Sequence, residues 1–236
     1  MSQEVLEAWI NGPELLVFLG RADDAIKQDV MASALYTQLA AHKRFNKFTH
    51  HSEWHATLLN AHTSFGWLRL ALERTDGPVL QSDAFSALDI FIGLLPQAFD
   101  GWRGGELEEA LARLVFSLPD AGASALHARS VSKTADPASQ DRACASRVSS
   151  VVLQLALVLP TAEKISMCVA FETDEPVAAN PFTQRFSRHR LAGEINTTRV
   201  IEMLDNLRYR VFRQGITEAL QDRREELILP IDGLES

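Results

Sequence analysis

Five of the seven histidines fall within residues 42–62: His42, His50, His51, His55 and His62. The densest stretch reads His50-His51-Ser52-Glu53-Trp54-His55. If this segment is extended, His51, Glu53 and His55 project to one face, because side chains in a strand alternate with period two. Two imidazoles and a carboxylate on one face form a ligand set for Zn²⁺ or Fe²⁺ with coordination positions left open. His50 and His62 stand as reserve ligands. The competing reading is a polar strand edge with solvated histidines, since the spacing matches no established catalytic motif.

A second constellation is basic. His42-Lys43-Arg44-Phe45-Asn46-Lys47-Phe48 and Arg185-Phe186-Ser187-Arg188-His189-Arg190 interleave cations with phenylalanine. Cations that meet phosphates beside rings that stack on bases suit a phosphate-rich ligand or a single-stranded nucleic acid. Arg44, Lys47, Arg185 and Arg188 are the candidate contacts. The plainer alternative places the phenylalanines in the core and the charges in water.

Other chemistries lack support. The chain has no GxSxG elbow, no Walker A loop and no HExxH pair. Gly101-Trp102-Arg103-Gly104-Gly105 does not follow an expected strand, so it is no dinucleotide fingerprint. The two cysteines, Cys144 and Cys168, are too few and too far apart to suggest a disulfide scaffold or a redox motif. Cys168 sits between Met167 and Val169, an apolar setting for a structural thiol.

The elements that must position these groups follow from periodicity. Asp23 caps a helix over 23–43, with Ile26, Val30, Ala34, Leu35 and Leu39 at helical spacing, and a shorter helix is expected to precede it and end at Gly20. Trp54 to Ala61 and Trp67 to Glu73 read as a β-hairpin turned by Thr63-Ser64-Phe65-Gly66. Helices are expected from Ser82 and over about 105–118, then a long loop over 121–147 with an edge strand near Leu126 to Val131. Strict alternation over 151–159 and 165–171 marks a second hairpin. A long helix over about 196–222 and a short strand near Leu227 to Ile231 complete the reading.

The expected fold is α+β: a mainly antiparallel sheet built from two β-hairpins with amphipathic helices packed on it, in a single domain over 1–236. Leu70 to Val79 resembles Val169 to Val177 with one gap, which suggests two related halves at about 23–118 and 121–222.

Composition bounds the function. With 46% hydrophobic and 23% charged residues among 236, the chain can bury a core. A net charge of −8 disfavours a general nucleic-acid binder, although the basic segments survive inside the acidic total. Residues 76–120 carry eight acids against two bases, a face that could receive those basic segments from a partner or a second copy. No uncharged stretch reaches the roughly 18 residues of a membrane span, and a cytoplasmic location is expected. The leading expectation is a non-enzymatic protein-interaction module (adaptor, chaperone-like or regulatory) that partners another protein or itself. The alternatives are the metal-dependent enzyme and the phosphate or nucleic-acid binder described above.

Overall fold

The computed structural model describes residues 6–76, 82–96, 105–135 and 147–231. The elements in chain order are β1 (Leu6–Asn11), β2 (Glu14–Leu19), α1 (Asp24–Arg44), α2 (His51–Ser64), β3 (Trp67–Asp76), β4 (Ala84–Phe85), α3 (Ala87–Leu94), α4 (Glu106–Phe116), α5 (Asp120–Ser130), β5 (Val131–Ala135), β6 (Arg147–Val158), β7 (Glu163–Thr173), β8 (Phe186–Ser187), β9 (Asn196–Leu204), α6 (Asn206–Tyr209), α7 (Arg213–Leu220), α8 (Arg223–Leu227) and β10 (Ile228–Pro230). They form two compact units, one of Met1–Glu73, Gln154–Ser166 and Thr198–Ser236, the other of Arg74–Leu153 and Met167–Thr197.

The strand order of the main sheet is β10-β1-β2-β6-β7-β9-β3, with β5 pairing β6 off this path. The α+β class holds, but the sheet is mixed: β2 runs antiparallel to β1 and parallel to β6, with Leu15 opposite Leu155 and Val17 opposite Leu157. Where a helix ending at Gly20 was expected, β1 and β2 form a ribbon. Gly12, at φ +63, turns between them, and Leu15 to Leu19 are all buried. An unbroken apolar run is what a strand covered on both faces requires.

The helix expected from Asp23 is present as α1, with the Asp23 carboxylate accepting from the Ala25 amide at 2.7 Å. It packs on α2 and α7, and Arg213 of α7 grips Asp29 of α1 through two bonds of 2.8 and 2.6 Å. Leu16, Phe18, Val30, Leu35, Trp67, Val158, Leu204 and Tyr209 share one core. Each large aliphatic or aromatic side chain buried there contributes about 1.5–3 kcal/mol.

Two further expectations fail in the first unit. The strand assigned to Trp54–Ala61 is part of helix α2, so the first hairpin does not exist. Trp54, His55, Leu58, Leu59 and His62 are buried at spacings of one, three and four, a helical stripe. Gly66 then turns the chain into β3. It has φ +95, and a Cβ there would stand 3.0 Å from the Tyr209 backbone nitrogen. The long helix over 196–222 is instead β9 followed by the short α6 and α7. Thr198, Val200, Glu202 and Leu204 alternate inward, and Asp205 caps α6 by accepting from the amides of Leu207 and Arg208.

In the second unit, β5 pairs antiparallel with β6, from Val131 opposite Val151 to Ala135 opposite Arg147, and β4 pairs with β8. The expected loop over 121–147 thus contains α5 and β5; its remainder, with Cys144, lies outside the described residues. Ser86 and Asp89 form a reciprocal capping box that starts α3. Phe85, Phe171 and Phe186 meet with ring centroids 4.9 to 5.9 Å apart. The repeated segment's tail, Gly77 to Val79, lies outside the described residues, and with α2 in place of a strand its two copies do not end equivalent hairpins.

Candidate functional site: an exposed edge strand anchored by a buried ionic cluster

The extended geometry that joined His51, Glu53 and His55 is overturned by α2. At 3.6 residues per turn, positions two apart point to opposite sides of a helix. His51 and His55 lie on one side with ring centroids 6.0 Å apart, and Glu53 is exposed on the other. Among the described residues no group of three or more His, Cys, Asp or Glu side chains is placed to hold a metal ion. His50 pairs with the Thr49 hydroxyl at 2.9 Å.

The basic candidates are also divided. Arg44 ends α1 and is exposed, while Lys47 is buried with its ammonium 5.0 Å from the Phe48 ring centroid. Both belong to the first unit; Arg185 and Arg188 belong to the second. Arg185 donates to the Ala84 carbonyl at 3.2 Å. The Arg188 Nε and Nη2 are shielded from solvent and make no hydrogen bond among the described residues. Cys168 is buried within β7.

The structure gathers a different set of charges inside the first unit. Glu14 on β2, Lys164 on β7, Glu202 on β9 and His62 on α2 are all buried. His62 Nδ1 meets Glu202 Oε2 at 2.6 Å. The Arg69 Nε of β3 lies 3.6 Å from the other oxygen of the same carboxylate. Lys164 Nζ stands 3.9 Å from Glu14 Oε1 and 4.7 Å from the centroid of the Trp67 ring, a cation–π contact. Gln38 of α1 donates to Glu14 Oε2 at 3.3 Å. Opposite charges compensate one another here, as burial of charge requires.

Burial, and the Lys164 ammonium after it, hold His62 below the ordinary imidazole value of 6.5. Burial pushes the Glu202 carboxyl up, but His62, Lys164 and Arg69 together outweigh it and leave the group below its ordinary 4.5. The pair therefore rests as a neutral imidazole donating from Nδ1 to a carboxylate. Its pH dependence has one sign. Below 6.5 the unfolded chain takes up a proton at His62 that the folded chain refuses, so stability falls as the pH drops through that value. Glu202 contributes stability above 4.5 that is lost as pH falls through its lower folded value. Urea midpoints are expected to decline from pH 7.5 to 5, and His62→Gln to flatten the decline.

The cluster fixes β3 from inside. Trp67 stacks under Lys164, Arg69 reaches Glu202 and donates to the Leu59 carbonyl at 2.8 Å, and Glu73 binds Arg199 of β9 at 2.6 Å. On its other side β3 is different. It ends the sheet order, with β9 as its one strand neighbour among the described residues. Leu70 and Leu72, which share a face, are 55% and 39% exposed. Sequence periodicity finds this strand but pairs it in a hairpin with Trp54–Ala61. Only the topology makes it an edge. The charged cluster escaped sequence reading because its members come from five separated elements.

No family model and no curated protein matches the chain. Among solved structures, it is similar to a delta-endotoxin at a TM-score of 0.45 and 10% identity, over 82% of this chain and 83% of that one. It is similar to the Evf virulence factor at a TM-score of 0.39 and 10% identity, over 89% and 82% of the two chains. No helix among the described residues is long and apolar enough to cross a membrane.

Proposed function

We propose that the protein is a non-enzymatic interaction module whose contact surface is the edge strand β3. One observation carries this reading. A ten-residue strand lies at the end of the sheet with a single strand neighbour among the described residues, and presents two exposed leucines on one face. An edge of this kind offers a row of backbone donors and acceptors to a further strand, while alternate side chains set its specificity. Side-chain contacts supply the rigidity: the buried cluster holds Trp67 and Arg69, and Arg199 of β9 holds Glu73, so the edge is ordered before a partner arrives and little ordering entropy is lost on contact. The histidine segment supports no competing metal reading of equal weight, since α2 separates its members.

The test is binding of a fluorescein-labelled peptide in which leucine alternates with arginine and glutamate. Saturable binding is expected for the native chain. Replacing both leucines (Leu70→Lys with Leu72→Lys) is expected to abolish it, while shifting stability by no more than about 0.5 kcal/mol, because both side chains already face solvent. Equal binding by the doubly substituted chain, or none by the native one, would refute the assignment.

A further inference from the structure

We infer that the strand received by β3 is the β3 of a second copy, paired antiparallel about a two-fold axis through Ala71. This rests on the reading of β3 as the contact edge, and adds the identity of the occupant.

Register decides the pairing. A two-fold axis normal to a sheet brings together residues that share a face, and its centre falls on a residue. Centred on Ala71, the pairing sets Arg69 opposite Glu73 of the second copy, and Glu73 opposite its Arg69. Leu70 then faces Leu72, and Leu72 faces Leu70. Opposite charges and apolar side chains placed directly across an antiparallel pair both stabilise it, and like charges so placed destabilise it. Centring on Arg69 or on Glu73 would oppose like charges. Centring on Leu70 or on Leu72 leaves Arg69 and Glu73 without each other. Among these registers only the Ala71 centre satisfies both the charges and the leucines.

Charged residues on an edge strand ordinarily keep a second strand away. Here the two signs lie at equal distances on either side of one residue, so the same charges that repel a misplaced strand admit this one. Glu73 binds Arg199 through Oε1, and its side chain is 59% exposed, so the carboxylate stays accessible to a second cation. The other end of the sheet is a poor substitute: β10 has three residues, the last of them Pro230, which carries no amide hydrogen. The pairing is isologous, so it closes at two copies and leaves no further β3 edge exposed.

Two measurements test the pairing. Sedimentation equilibrium of the full chain is expected to show the apparent mass rising with concentration from 26.2 kDa toward twice that value, with the Leu70→Lys, Leu72→Lys chain remaining at the lower mass. In a Cys144→Ser background, Ala71→Cys is expected to give a disulfide-linked dimer on mild oxidation, because directly opposite residues stand about 4.5–5.5 Å apart between Cα atoms, within disulfide reach. Leu68→Cys, three residues from the axis, is expected to give none. A native chain that stays at the lower mass throughout, or equal cross-linking at both positions, would overturn the inference. If such a monomeric chain still binds the labelled peptide, the edge remains the contact surface and only the second copy is removed as its occupant. If it binds no peptide either, both conclusions fall.

Discussion

Glu202→Ala is expected to destabilise the folded chain by about 3 kcal/mol, the upper end of the cost of leaving a buried donor unsatisfied, because the lost acceptor is charged. The Glu202 carboxylate meets His62 at 2.6 Å and lies 3.6 Å from the Arg69 Nε. Its removal strands a buried imidazole N–H and weakens the hold on β3 from inside. Typical domains have about 5–15 kcal/mol in total, so a loss of this size consumes much of the margin. Glu202→Gln provides the comparison. It keeps the shape and an oxygen for His62 while removing the charge, and is expected to fall between the native chain and the alanine variant. Chemical denaturation of the three chains at pH 7.5 checks the order.

Trp67→Ala is expected to cost a similar amount, about 3–5 kcal/mol, through a different mechanism. The indole is fully buried at the start of β3, its ring lies 5.4 Å from that of His62, and the Lys164 ammonium sits over its face. Truncation leaves a cavity and takes away the aromatic surface against which the ammonium rests. Trp67→Phe keeps a ring for Lys164 and removes less volume, so it is expected to recover more than half of the loss. Thermal unfolding of both variants distinguishes the packing contribution from the cation–π contribution: a phenylalanine chain no better than the alanine chain would show that a ring beneath Lys164 contributes nothing.

Both substitutions concern residues that sequence periodicity could not single out, and the reasons are physical. The spacing of Asp23, Ile26, Val30 and Leu39 specified α1 together with its cap, and the alternation over 151–159 and 165–171 specified β6 and β7, because in each the local pattern and the tertiary environment agree. In β9 they conflict. Val200, Leu204, Leu207 and Val211 repeat at helical spacing, yet Leu207 and Val211 are exposed, and the β-branched run Thr197, Thr198, Val200 and Ile201 forms a strand. In α2 the partial alternation of Trp54 to Ala61 hid the stripe of Trp54, Leu58 and His62. The metal triad requires residues 51–55 to be extended, and α2 begins at His51, so the helix removes the triad together with the strand.

The buried charges were concealed for another reason. Lys164 falls in the short connection between the two alternating runs 151–159 and 165–171, and Glu202 inside the helix expected over 196–222. A charged side chain in a core-facing strand position looks like a solvent-facing one until its partner is known, and here the partners are far off in sequence: Glu14 for Lys164, and His62 for Glu202. The edge strand shows the complementary case. Leu68, Leu70 and Leu72 alternate as a buried strand would, so the sequence reveals the strand but not that its leucines meet solvent. That depends on where β3 falls in the sheet, at the end of the strand order beside β9.

The central claim is that the outer side of β3 is a contact surface, and amide hydrogen exchange measured along that strand at increasing protein concentration tests it most directly. Amides within Leu70 to Glu73 are expected to gain protection as concentration rises, those of β10 are not, and the Leu70→Lys, Leu72→Lys chain is expected to show no gain. Exchange in β3 that is independent of concentration, and unchanged by excess labelled peptide, would contradict it.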